Sequence, residues 1–333
     1  MPPQEPINVS VVFCHHKGDL ILKAIQSLRV QKYVNCEIIV VTSEDNRNFY
    51  NVKTYYVKGG PDRKRNAALK LCSYDLIAFF DDDIEATPTC VYEMVKKLDQ
   101  AGIGMVFGKT LNMEHRDMFD EAGSFLTWTG FLWARGSHQR DEGQFNLCEP
   151  VLAGKSASCM IKRSVFVEAG KFDTDYEILA EETDLAWRVW LRGYQVLYVP
   201  RSVAYHAFNS RFKPPDMYNP KRIYFNGCRN YMSMLYSNLG KKNWIIPILF
   251  HTFAWTISAI GMLLTGKPRS AYWIIRGLIY FYTHAYHIWK KRVIVQGSRK
   301  ISDKELLPII TRNPSLKYYV DRLFRYWKCG LHG

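Results

Sequence analysis

Apolar and polar positions alternate with two different periods along the first two thirds of the chain. VSVVF (residues 9–13) and EIIVV (37–41) are short β-branched runs bounded by polar residues, the pattern of buried strands. Between them Leu20, Ile21, Ala24, Ile25 and Leu28 fall at helical spacing. Tyr55–Val57 predicts a third strand, Asp62–Leu71 a helix opened by Pro-Asp, and Leu76–Phe80 a fourth strand. Strands and helices in that order predict an α/β fold with a mostly parallel sheet covered by helices on both faces. Ligands of such sheets gather beyond the carboxyl ends of the strands.

Further along, Pro88–Asp99 reads as a helix and Ile103–Thr110 as a strand. Residues 114–145 are irregular, rich in glycine and aromatics, and read as a loop region able to cover a substrate. Order is expected again at Ala157–Lys162 (strand), Ser164–Ala169 and Glu182–Arg192 (helices), and at two short strands, Val196–Val199 and Val203–His206.

The pattern changes at Trp244. Residues 244–266 contain no Lys, Arg, Asp or Glu, a length able to cross a hydrocarbon core as a helix. Residues 271–289 are rich in Trp and Tyr but carry Arg276, His284 and His287. Basic residues flank both stretches, so charge sets no crossing direction, and aromatic residues beside basic ones suit the headgroup region. The reading is a helical hairpin on or in the cytoplasmic leaflet, with two spans or two buried helices as the alternatives.

Charge sharpens this. From Lys241 to the end there are 16 Lys and Arg against 3 Asp and Glu, and in the first 240 residues 29 against 28. Of the net +14, +13 therefore belongs to the C-terminal part, as expected of a segment that meets an anionic membrane surface. Nucleic acid is disfavoured, because the basic residues alternate with long apolar runs and no nucleic-acid-binding motif accompanies them. The 8 cysteines are scattered with no CxxC pair, which predicts free thiols rather than a disulfide framework or a metal knot. The N-terminus lacks a signal-peptide pattern, so the first domain is expected on the cytoplasmic side.

Candidate chemistry begins at LIAFFDDDIEATP (76–88), where a buried-looking strand ends in Asp81, Asp82 and Asp83. Adjacent carboxylates repel, and a divalent cation, Mg²⁺ or Mn²⁺ shared with substrate phosphates, would relieve that. A second acidic group, Glu181, Glu182 and Asp184, opens a helix in AEETDLAWRVWLRGYQVLYVP (180–200). One or two acids would serve as helix caps; three make a general base plausible. His206 closes a short strand, either as a structural histidine or as a third metal ligand.

These segments, with DRKRNAALKL and GKSASCMIKRSVFVEAGKFD, resemble in this order the family 2 glycosyltransferases, rhamnosyl- and galactofuranosyltransferases among them, over residues 7–210. The resemblance implies a GT-A fold and inverting transfer of a sugar from a nucleotide-diphosphate donor. It implies that Arg65 and Asn66 lie near the donor, that Asp81 and Asp82 lie at the nucleotide, and that Asp83, with Asp81 and His206, holds the metal. It makes Glu182 the general base, with Asp184 as rival, and places Gly154 before the acceptor loop. Two positions depart from the family pattern. Cys14-His15 stands where Pro-Thr is usual, and Thr42-Ser43 stands where an acid pair is usual, leaving Thr42, Glu44 or Asp45 beside the nucleotide.

The expected organisation is a catalytic domain (1–215), a linking helix (216–240), a membrane-associated hairpin (241–292) and a basic tail (293–333). The expected function is metal-dependent transfer to a lipid-linked saccharide at the cytoplasmic face of the cell membrane. A nucleotidyltransferase on a similar scaffold, or a decayed sugar-nucleotide-binding protein, are the alternatives.

Overall fold

The computed structural model describes residues 3–16, 18–44, 48–49, 51–207, 219–315 and 319–320. Asp45, the boundary at 215/216 and the last 13 residues of the basic tail lie outside these.

Strands β1 (Ile7–His15), β2 (Val34–Thr42), β3 (Lys53–Tyr56) and β4 (Leu76–Phe80) pair in parallel in the order β4-β1-β2-β3. Helices α1 (Leu20–Arg29) and α2 (Pro61–Ala68) join them. The sheet continues through β11 (Ser158–Lys162), antiparallel to β4 and to β6 (Ile103–Asn112), and then β12 (Gln195–His206), parallel to β6. Cores lie on both faces. Ile21, Ala24 and Leu28 of α1 pack with Val91 and Val95 of α3 (Cys90–Leu98) on one side. Phe79, Phe107, Leu185 and Trp187 pack on the other, under α4 (Arg163–Glu168) and α5 (Glu181–Leu191). The seven cysteines among the described residues are free.

One short strand brings the ends of β4 and β12 together. Directly after the three aspartates, β5 (Ile84–Ala86) runs back antiparallel along the end of β12, pairing Ile84 with His206. The two strands expected at 196–199 and 203–206 are one, β12, interrupted by a bulge. Its pairing with β6 jumps from Val199–Gly108 to Val203–Lys109, which explains the sequence break at Pro200. The irregular region 114–145 holds β7 (Phe119–Glu121) on the edge of β6 and the hairpin of β8 (Ser124–Leu126) with β9 (Leu132–Ala134). A two-residue strand, β10 (Glu149–Pro150), pairs with β12.

Beyond a π-turn at Lys221–Phe225 come α6 (Asn226–Asn238), α7 (Ile245–Leu264), α8 (Pro268–Thr283), α9 (Ala285–Gly297) and α10 (Asp303–Ile310). Helix α7 is the one helix among the described residues long and apolar enough to cross a membrane, with mean hydropathy 1.6. One of its faces, with Ile248, His251, Trp255 and Met262, is buried. The other exposes Ile246, Leu249, Phe253, Ile257, Ile260 and Leu264, spaced by three or four residues. The first part of the basic tail folds back on the domain. The Lys300 amide donates to the Leu191 carbonyl and the Arg312 amide to that of Leu126.

Candidate active site

The carboxyl ends of β4 and β12 meet. His206 Nε2 lies 3.1 Å from Asp83 Oδ1 and 3.8 Å from Asp81 Oδ2. Each of the three side chains offers a ligand atom within 4.8 Å of the others. Two carboxylates and an imidazole, partly open to solvent, fit a divalent cation that completes its shell with phosphate and water. Backbone pairing fixes the approach, because the Ala207 amide donates to the Asp83 carbonyl at 3.0 Å.

Asp82 turns the other way. Its Oδ2 lies 2.7 Å from Nδ1 of buried His15 and accepts from the His16 amide at 3.2 Å. Nε2 of His15 lies 3.2 Å from Glu44 Oε2. Thr42 is buried, and its hydroxyl accepts from the Glu44 amide, so it shapes the turn. Lys64, buried on α2, donates to the His15 carbonyl at 2.6 Å and to Ser43 Oγ at 2.9 Å. Burial pulls the Lys64 ammonium below its usual range, opposed by Cys14 and the Asp82 charge. The departures at Cys14-His15 and Thr42-Ser43 thus meet in one connected set of hydrogen bonds. His15 and Lys64 belong to it, and the family pattern did not point to them.

Arg65 lies at the centre. One guanidinium nitrogen donates to Asp81 (3.1 Å) and Ser156 (2.9 Å), the other to Glu181 (3.2 Å). A buried cation there offsets part of the acidic cluster. Asn66 does something else. Its amide donates to the Phe172 carbonyl and accepts from the Phe172 amide, so both ends clamp the loop before α5.

That loop carries strain. Glu177, Leu179 and Ala180 have φ of 58°, 73° and 68°, a backbone region that costs non-glycine residues about 1–3 kcal/mol each. Asn230 of α6 holds it by donating to the carbonyls of Tyr176, Ile178 and Leu179 at 2.8–2.9 Å. From α9, His287 and Lys291 grip Asp175, and Lys291 grips Asp173. Gly60 is required where α2 meets this loop, since a Cβ there would lie 2.6 Å from the Glu177 carbonyl oxygen.

Of the two rivals for general base, Asp184 is fully engaged. Its Oδ2 pairs with Arg188, and its Oδ1 accepts from Asn238 at 2.8 Å and from the Tyr176 hydroxyl at 3.4 Å. Glu182 is half-buried, with one oxygen sealed from solvent and unpartnered. Burial, then the neighbouring Glu181 charge, push its carboxyl well above the usual range, as a base working near neutrality needs.

Residues 10–168 match the family model described as Glycosyl transferase family 2. They form a family 2 glycosyltransferase domain. Poly-beta-1,6-N-acetyl-D-glucosamine synthase of Staphylococcus aureus (strain MSSA476) is 23% identical over 207 residues, 58% of this chain and 48% of that one. The chain thus spans about half the length of the curated relatives it matches. Among solved structures, GalNAc-T7 with UDP, GalNAc and Mn²⁺ superposes with TM-score 0.53 at 16% identity, over 79% of this chain and 58% of that chain. S. aureus TarS 1-349 does so with TM-score 0.50 at 15% identity, over 87% and 91%. At those identities the likeness establishes the fold, GT-A.

Asp62, on the first turn of α2, is buried without a side-chain partner, and burial pushes its carboxyl up to about 6. A raised folded-state pKa favours folding below the ordinary value of about 4, and that benefit is lost as pH rises through 6. Asp62→Asn is therefore expected to stabilise the protein at pH 8 by about 1–3 kcal/mol and to change little at pH 4. Denaturant melts at both pH values check this; equal effects at both would show that ionisation is not the cause.

Proposed function

We propose that this glycosyltransferase is a metal-dependent, inverting enzyme that moves a sugar from a nucleotide-diphosphate donor to a hydroxyl of a lipid-linked saccharide at the cytoplasmic face of the cell membrane. The observation that carries the proposal is the convergence of Asp81, Asp83 and His206 at the sheet end that Arg65 ties to the Glu181-Glu182 helix start. Asp82, His15, Lys64 and Glu44 form the wall that receives the nucleoside end of the donor. Asp81, Asp83 and His206 would hold a divalent cation, which would supply Lewis-acid stabilisation of the diphosphate. Glu182 takes the proton of the acceptor hydroxyl, whose oxygen bonds to the anomeric carbon from the face opposite the diphosphate. The bond to the phosphate oxygen breaks, and its electron pair leaves with the nucleotide.

The UDP and Mn²⁺ of GalNAc-T7 and the polymer made by the glucosamine synthase support a nucleotide-sugar donor, Mn²⁺ or Mg²⁺, and polysaccharide or glycan assembly. The exposed face of α7 beside basic Lys241, Lys242 and Arg269 supports a membrane site for the acceptor.

The test is nucleotide release from UDP-, GDP- and dTDP-sugars with membrane lipid extract as acceptor, with and without EDTA. EDTA-sensitive release from one donor, lost in Asp83→Ala, is expected. Release from a donor that EDTA and Asp83→Ala leave intact would overturn the metal-dependent reading.

A further inference from the structure

His206 Nδ1, the ring nitrogen that faces away from Asp83, lies 2.7 Å from Asp120 Oδ2, and the other oxygen of Asp120 accepts from the ammonium of Lys155. Asp120 and His206 are both buried, 7% and 4% exposed. The three residues come from separate places, β7, the segment before β11, and the end of β12. Asp120 reaches this position through a bulge. In the pairing of β7 with β6, Thr110 faces Glu121 and Leu111 faces Phe119, so Asp120 between them has no partner. A bulged residue is re-aimed relative to the alternation of its strand, and here it is aimed at the imidazole.

From this geometry, and resting on the metal reading above, we infer that Asp120 is a positioning residue for the metal. It accepts the Nδ1 proton of His206, fixes the tautomer with its lone pair on Nε2, and locks the ring towards Asp81 and Asp83. Lys155 in turn holds the carboxylate. An imidazole that binds metal through one nitrogen needs a partner on the other. Loss of that partner typically weakens metal binding about 10–100-fold. Lys155 directly follows Gly154, so the same chain of contacts joins the metal ligand to the segment that leads into β11.

The test measures Mn²⁺ binding to the full-length protein by electron paramagnetic resonance, with no donor present and with melting curves alongside. Asp120→Ala is expected to weaken Mn²⁺ about 10–100-fold. Asp120→Asn, which keeps an acceptor oxygen for Nδ1, is expected to fall between wild type and Asp120→Ala, and it serves also if Asp120→Ala does not fold. Because Asp120 acts through the imidazole, adding either substitution to His206→Ala is expected to cost no further Mn²⁺ affinity. Penalties that add in the double variant, or an Asp120→Asn protein that binds Mn²⁺ as wild type does, would overturn the inference while leaving the metal site standing. Wild-type protein that binds no Mn²⁺ would overturn the metal reading, and the inference with it.

Discussion

Glu182→Gln is expected to lower turnover by about 10²–10⁴-fold while donor and metal binding persist. The substitution keeps the size of the side chain and removes its ability to accept a proton. The ionised base is the active form, and its pKa is raised by burial and by Glu181, so activity should climb with pH well above the usual carboxylate range. Glu181→Gln removes the neighbouring charge, so the climb should shift to lower pH. A pH profile of kcat/KM for wild type and both variants reads these effects. Residual activity of Glu182→Gln near the wild-type level would remove Glu182 from the chemistry.

Asp184 supplies the contrast. Both its oxygens are bonded, to Arg188, Asn238 and Tyr176, so Asp184→Asn breaks a buried network. A loss of stability of about 3–5 kcal/mol is expected, with the pH profile of the surviving enzyme unchanged. Full stability with abolished turnover would reverse the two assignments.

Strands β1, β2 and β4 and the helices beside them were legible because each is a buried strand, read as a run of Val, Ile and Phe with a polar boundary, whereas β3 is an exposed edge strand that carries no such run. The aspartates stood out because nothing about folding favours three of them at a strand end. The rest depended on contacts that leave no periodic trace. Pro200 made one bulged strand look like two. Asp120 sits in a three-residue strand inside an irregular region, and only its bulge aims it at His206. Asn66 matched a family motif, yet its amide is spent on Phe172. The strain before Glu181 is held by Asn230, 50 residues further on, and no local pattern couples the two. The departures at Cys14-His15 and Thr42-Ser43 were visible, but their meeting through His15, Asp82 and Glu44 required the sheet.

Leu249→Glu with Phe253→Glu is expected to release the enzyme from anionic vesicles, lowering its affinity about 10²–10⁴-fold. Both side chains are exposed, 64% and 65%, on the outer stripe of α7. Each would gain about 1.5–3 kcal/mol on burial in acyl chains. On α8, exposed Tyr272, Ile275, Ile279 and Tyr282 are similarly spaced, and Arg269, Arg276 and Lys290 lie nearby with room to reach headgroups. Each such cation contributes about 1 kcal/mol on an anionic surface, so moderate salt should weaken binding and neutral vesicles should bind less well. The helix is expected to lie in the interface rather than cross it. Its inner face is already filled: Phe131 packs against His251 with ring centres 4.2 Å apart, and Gly130 packs against Leu235 and Pro247. Crossing would strip that face from the domain and expose it to lipid. Vesicle flotation of wild type and the double variant, in low and high salt and before and after alkaline carbonate washing, separates the cases. Binding that survives carbonate would mean a true span, and a double variant that floats like wild type would mean that this face does not meet the membrane.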